Sequence, residues 1–119
     1  MIGDSVTPNL IQKALDGIWQ RQKAIANNIA NHETPGYKAT KVSFEHALRK
    51  ELLNGNNIKD SKIEVFTDRS GEERADGNNV NLESENIEMA RTQLQYQFLT
   101  RAMTDMYARL RYAISEGKK

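Results

Sequence analysis

The 119-residue chain has no cysteine, only two prolines, and no apolar run near the ~20 residues needed to cross a bilayer. Without cysteine there is no disulfide framework, no thiolate zinc site and no thiol nucleophile, while the redox compartment stays open. Two histidines, His32 and His46, weigh against a metal site supplied by the protein. Lys and Arg number 17 against 16 Asp and Glu, a net charge of +1, so no strong field steers the chain onto nucleic acid or an anionic membrane. Eight aromatic side chains and a 38% hydrophobic content leave little surface to bury in a chain of this length. One domain at most is expected, either folding weakly alone or borrowing burial from neighbours. Met1-Ile2-Gly3-Asp4 lacks the basic start and apolar centre of a cleavable signal peptide, so any exit from the cytoplasm is expected to bypass the general secretory route.

What is present divides into three parts. Residues 1–53 carry seven basic and five acidic groups, residues 54–83 four and seven, and residues 84–119 six and four. Asn, Gly, Asp and Ser crowd the acidic middle part, in Asn54-Gly55-Asn56-Asn57, Asp68-Arg69-Ser70-Gly71 and Asp76-Gly77-Asn78-Asn79, and interrupt any helix there. The resulting division is 1–36, a helix and turn; 37–83, a short helix and loop; and 84–119, a second long helix, together forming one domain.

The first helix is predicted from about Asn9 to Asn31, with Thr7 as cap and Pro8 in the first turn. Ile11, Leu15, Ile18, Ile25 and Ile29, with Gln22 in the gap, recur at a heptad spacing. Thr34-Pro35-Gly36-Tyr37 must end it: proline disfavours helix at the residue before it, and Pro-Gly suits a type II turn with positive φ at Gly36. A shorter helix is expected from Phe44 to Leu53, starting at Ser43 and stopped by Asn54-Gly55. The last helix, about Ser84 to Glu116, carries Met89, Thr92, Tyr96, Leu99, Met103, Met106, Leu110 and Ala113 in an unbroken 3, 4 alternation. Beside this seam, Ile87, Ala90, Leu94, Phe98 and Ala102 widen the apolar face beyond what one partner helix would cover. Ser61 to Thr67 alternates around Ile63 and Val65, so one short strand is possible there, pairing within the loop region or with another subunit.

The predicted fold is mainly all-α: long N- and C-terminal helices paired as a coiled-coil-like hairpin, with a short middle helix and an irregular loop or short β region. No catalytic, cofactor or metal site is expected. His32 beside Glu33 and His46 beside Glu45 lack a nearby nucleophile, Glu72-Glu73 reads as solvated surface, and no phosphate, zinc or calcium motif appears. Arg101, Arg109, Arg111, Lys118 and Lys119 complement a helix C-terminus better than they make a nucleic-acid tract. The amides resist so plain a reading. Gln12, Gln20, Gln22, Asn27, Asn28 and Asn31 crowd a helix with few charges, and Gln93, Gln95 and Gln97 do the same in the last helix. Such uncharged polar faces suit a packed interface, and Asn27, Asn28 and Asn31 cluster at one helix end as candidate interface hydrogen bonders.

Ala26-Asn27-Asn28-Ile29-Ala30-Asn31, then Thr34-Pro35-Gly36-Tyr37-Lys38 and Phe44, resembles the N-terminal signature of bacterial flagellar rod and hook proteins. Gly77-Asn78-Asn79-Val80-Asn81-Leu82-Glu83, leading to Glu88-Met89-Ala90 and Leu94-Gln95-Tyr96-Gln97, is similar to the C-terminal part of the family's proximal rod members, whose short length the chain shares. The resemblance implies a structural subunit of the periplasmic rod, exported through the flagellum's own type III apparatus without a cleaved signal. Expected partners are copies of itself, other rod proteins, the rod adapter protein and the membrane (MS) ring protein, with no nucleic acid and no transmembrane segment. Thr34, Pro35, Gly36 and Tyr37 are the expected corner, and Met89, Tyr96, Leu99, Met103, Met106 and Leu110 the expected partners of Ile11 to Ile29. The competing expectation is a free-standing helical adaptor that binds one partner helix through the same seam.

Overall fold

The computed structural model describes residues 8–117; the expected Thr7 cap, Lys118 and Lys119 lie outside them. Pro8 opens helix α1 (Pro8–Ala30), as its fixed φ and missing N–H suit a first helical position. Strand β1 (Thr40–Ser43) and helix α2 (Glu45–Leu53) follow, then a single 3-10 turn at Ile58–Asp60, strand β2 (Glu64–Thr67) and helix α3 (Leu82–Gly117). The fold is mainly helical. The long terminal helices run antiparallel: Leu10, Ala14 and Ile18 share a groove with Leu94 and Leu99, whereas Ala24 and Ile25 lie with Glu85 and Glu88.

The strand expected in the loop exists as Glu64–Thr67, and its partner is a stretch the spacing did not reveal. β1 and β2 pair antiparallel in the register Thr40 with Thr67 and Ser43 with Glu64. The last helix starts at Leu82, two residues before the expected Ser84, with Asn81 Oδ1 accepting the Ser84 N–H at 3.1 Å. The middle helix starts after Phe44, not after Ser43. Phe44 sits at its N-cap with φ −149°, because its ring is needed in the core. A Cβ on Gly17 would fall 2.5 Å from that ring, so α1 carries glycine there at the cost of helix propensity.

The core is small and lies toward one end. Ile18, Ala24, Val42, Phe44 and Leu48 form it, with Leu10, Ala14, Ile58, Ile63 and Leu99 packed around. Each large side chain so buried contributes about 1.5–3 kcal/mol. α1 has 23 residues and α3 has 36, or about 35 Å and 54 Å of helix. The molecule therefore measures 70 × 27 × 16 Å, with a radius of gyration of 18.4 Å against about 13 Å for a compact chain of this size. Its narrow extension is the far end of α3.

The paired seam departs from the heptad reading in detail. Ile11, Ile18 and Ile25 are buried, Leu15 and Ile29 half-buried, and on α3 Thr92 is buried while Met89, Leu99, Met103 and Met106 are half-buried. Tyr96 and Leu110 belong elsewhere, at 46% and 53% exposed. A straight helix drifts from a strict seven-residue repeat, so Gln95 and Ala102 turn inward where Tyr96 turns out. Leu110 is exposed like every described residue after Met106, where α3 outruns α1.

Candidate functional site

No cluster of three metal-ligating side chains occurs among the described residues. His32 Nδ1 lies 2.8 Å from the Ile29 carbonyl, an ordinary helix-end contact, and His46 is exposed on α2. No helix among the described residues is long and apolar enough to cross a membrane. What the molecule offers is a polar lock and, next to it, bare apolar flanks.

The lock joins the two sequence motifs in space. Asn28, fully buried, donates from Nδ2 to the Thr40 carbonyl at 2.9 Å and accepts the Thr40 N–H at 2.8 Å and the Tyr37 hydroxyl at 3.1 Å. It stitches β1 onto α1. Asn78, also fully buried, donates to the carbonyls of Asn31 and Thr34, each at 2.8 Å, and accepts the Val80 N–H at 2.8 Å. Those carbonyls, which also accept the Thr34 and Tyr37 N–H at 3.0 and 3.2 Å, lie where α1 ends and the corner begins. Asn79 accepts the Ala39 N–H and donates to the Asp68 carbonyl, both at 2.7 Å. Gly36 donates to the Asp76 carbonyl at 2.8 Å. Each group would be costly to bury unpaired, so the loop at residues 76–80 has one arrangement against the corner.

The corner is the expected type II turn: Tyr37 N–H reaches the Thr34 carbonyl at 3.2 Å and Gly36 has φ +74°. Thr34, Pro35 and Gly36 are exposed, while Tyr37 is half-buried with its hydroxyl on Asn28. Asn28, expected as an interface hydrogen bonder, is buried and makes its hydrogen bonds to Thr40 and Tyr37 within the chain. Asn31 is likewise used locally, donating to the Asn27 carbonyl at 2.8 Å and accepting the Thr34 hydroxyl at 3.0 Å. Asn27 alone of the three is exposed.

Charged groups reinforce the same end. Arg21 grips both carboxylate oxygens of Glu45 at 2.7 and 2.8 Å, donates to the Val42 carbonyl at 2.7 Å, and lies 4.9 Å from the Phe44 ring centre. Its hydrogen bonds hold the Glu45 carboxyl below its usual range. Lys41 meets the buried Glu85 at 3.2 Å, joining β1 to α3. The sequence reading missed Arg21, Asn78 and Asn79 as structural residues. A cation mid-helix and amides in a turn-rich loop look like solvated groups until their partners are known.

Around the lock the helices keep bare apolar flanks. On α3, Ile87, Leu94 and Phe98 of the second stripe are exposed, Phe98 at 74%, and on α1 so is Trp19 at 58%. Ala90 is exposed too, while Ala102 is half-buried. Such surface is unusual on a free-standing soluble chain and marks contact with other molecules.

Paired terminal helices, an amide-locked corner and uncovered flanks define a subunit made for assembly. The family described as "Flagella basal body rod protein" matches residues 19–38, the end of α1 and the corner. The flagellar basal body rod protein FlgB of Bacillus subtilis (strain 168) is 34% identical, over 91% of this chain and 92% of that protein. The FlgB protein of Borreliella burgdorferi is 32% identical over 72% of this chain and 78% of its own. That of Escherichia coli (strain K12) is 26% identical over 89% and 91%. The chain belongs to the FlgB family of flagellar basal body rod proteins and is a structural subunit of that rod. A free-standing adaptor is not favoured.

Proposed function

We propose that the chain polymerises through its terminal helices as part of the proximal rod, a helical tubular shaft that carries motor torque and joins the membrane ring. The exposed apolar flanks carry this reading: Trp19 on α1 and Ile87, Leu94 and Phe98 on α3 all stand more than half exposed. Contacts that do not close on themselves make open helical assemblies, and stiffness then comes from repetition. Copies of itself, other rod proteins, the rod adapter protein and the membrane ring protein would share these flanks, with exposed Asn27 at their edge. The same reading gives the subunit no catalytic role, and has it exported by the flagellar type III apparatus without a cleaved signal to a periplasmic rod.

A charge on an exposed flank tests it. Ile87→Glu and Trp19→Glu should leave the folded monomer's stability within about 0.5 kcal/mol, yet remove the chain from isolated basal bodies and abolish swimming, because assembly would bury an unpaired ion. Normal motility in both variants would refute the proposal.

A further inference from the structure

The two-stranded sheet has two outer edges, and the chain closes one of them. Along β1, Asn28 takes the Thr40 N–H and carbonyl and Arg21 takes the Val42 carbonyl, so α1 covers that edge. β2 has no such cover. The Asp68 N–H donates to the Ala39 carbonyl at 2.8 Å, and bonding alternates along an antiparallel pair, so Phe66 and Glu64 direct their main-chain groups at Lys41 and Ser43. Val65 and Thr67 therefore direct theirs outward, and no described residue hydrogen-bonds to them there. All four residues of β2 are exposed, Val65 at 55% and Phe66 at 47%. Neither a proline nor a bulge interrupts the strand, and an open edge of this kind is a template for another strand.

The segment around β2 is its own complement. Set antiparallel to a copy of itself with Val65 on the two-fold axis, Lys62-Ile63-Glu64-Val65-Phe66-Thr67-Asp68 places Lys62 opposite Asp68 at both ends and Glu64 opposite Phe66. The outward main-chain groups of the two Val65 residues then face each other. With the axis at Glu64 the same segment sets two carboxylates face to face, and with the axis at Phe66 it sets Glu64 against Asp68 twice. Registers in between put outward groups against inward ones. Main chain and charge agree on Val65. Asp68 already holds Ser70 through Oδ1, which leaves a second oxygen for Lys62.

We infer that β2 pairs antiparallel with β2 of a second copy, making a four-stranded sheet in the order β1-β2-β2-β1 with Val65 on its axis. A contact between like surfaces closes as a pair and adds no third copy, so this contact is separate from those that extend a rod. With four residues in each strand it is a weak contact, favoured at high concentration.

The native chain has no cysteine, so two full-length variants, Glu64→Cys and Phe66→Cys, read the register directly. The two positions lie opposite each other across the pair, at about 4.5 Å between Cα atoms, whereas like positions are diagonal at about 7–8 Å, beyond the reach of a disulfide. Mixed at millimolar concentration under a mild oxidant, the unlike disulfide dimer should exceed either like dimer by about tenfold. Val65→Pro added to both chains removes an outward N–H from each copy and no hydrogen bond within the chain, and should remove the unlike dimer. Lys62→Glu added to both turns two attractive pairs repulsive and should lower the yield about fivefold. A dominant like dimer, or a yield indifferent to both added changes, would overturn the inference. So would the absence of any interchain disulfide, which would leave the edge to a strand of some other protein. The Val65→Pro chain should still enter isolated basal bodies; its exclusion, with circular dichroism unchanged, would make the edge a rod contact and overturn the inference as well. The rod reading is judged separately, by whether the unaltered chain is found in basal bodies at all.

Discussion

The two ends of this molecule solve opposite problems. Where α1 ends and α3 begins, three buried asparagines bond the backbone at Asn31, Thr34, Ala39 and Thr40, and the Arg21 and Lys41 ion pairs tie in α2 and α3. At the other end every described residue of α3 after Met106 is exposed, including Tyr107, Leu110, Tyr112 and Ile114. One end has its turn and loop backbone bonded by its own chain, with Ile87 left bare beside them. The other has an apolar side with no described partner, and the contrast teaches that fold and assembly are handled by separate residues even though one helix passes through both.

The sharpest way to break this comparison is at the locked end. Asn28→Ala leaves the Thr40 N–H and carbonyl and the Tyr37 hydroxyl without partners in a buried site, and should cost about 2–4 kcal/mol. Urea unfolding followed by circular dichroism measures it, and a cost under about 0.5 kcal/mol would mean that the lock does not hold β1. Gly36→Ala should cost about 1 kcal/mol by the same assay, since φ is +74° and open space around the position leaves conformation as the sole penalty.

Acid should weaken the lock modestly. Glu45 has a folded pKa lowered chiefly by the hydrogen bonds from Arg21. The stability it contributes is therefore fully present above its unfolded value near 4.5 and is lost as the pH falls through the lower folded value. With 55% of the Glu45 side chain exposed, the effect should stay below about 1 kcal/mol. Glu45→Gln should flatten that part of the pH–stability curve, and an unchanged acid limb would count against the pair. At the opposite end Leu110→Glu should change monomer stability by less than about 0.5 kcal/mol while blocking assembly. A large loss of monomer stability would mean that the overhang is part of the fold.

Much of this was legible in the residues. The heptad spacing of Ile11, Ile18 and Ile25 and of Met89, Leu99 and Met103 located both long helices, because a buried stripe on a helix repeats at helical spacing whatever packs on it. The Pro35-Gly36 corner and its positive φ followed from local sterics alone. The strand Thr40–Ser43 was not legible. Four residues with one buried side chain, Val42, carry no periodic signal, and their pairing with Glu64–Thr67 bridges a gap filled by another helix. Nor could the amides be sorted: Asn27, Asn28 and Asn31 are one residue type in one cluster, and burial alone separates the locked Asn28 from the exposed Asn27.

What the sequence determined by itself was local: two amphipathic helices of unequal length, the proline-glycine stop between them, and an apolar content in excess of what one hairpin hides. Each follows from sterics and spacing within a few residues of chain. Only the tertiary structure decided which amides turn inward, which cation is gripped and how far α3 runs past α1. Those outcomes depend on groups tens of residues apart meeting within hydrogen-bond reach, and a hydrogen bond's value to the fold is set by the water excluded around it.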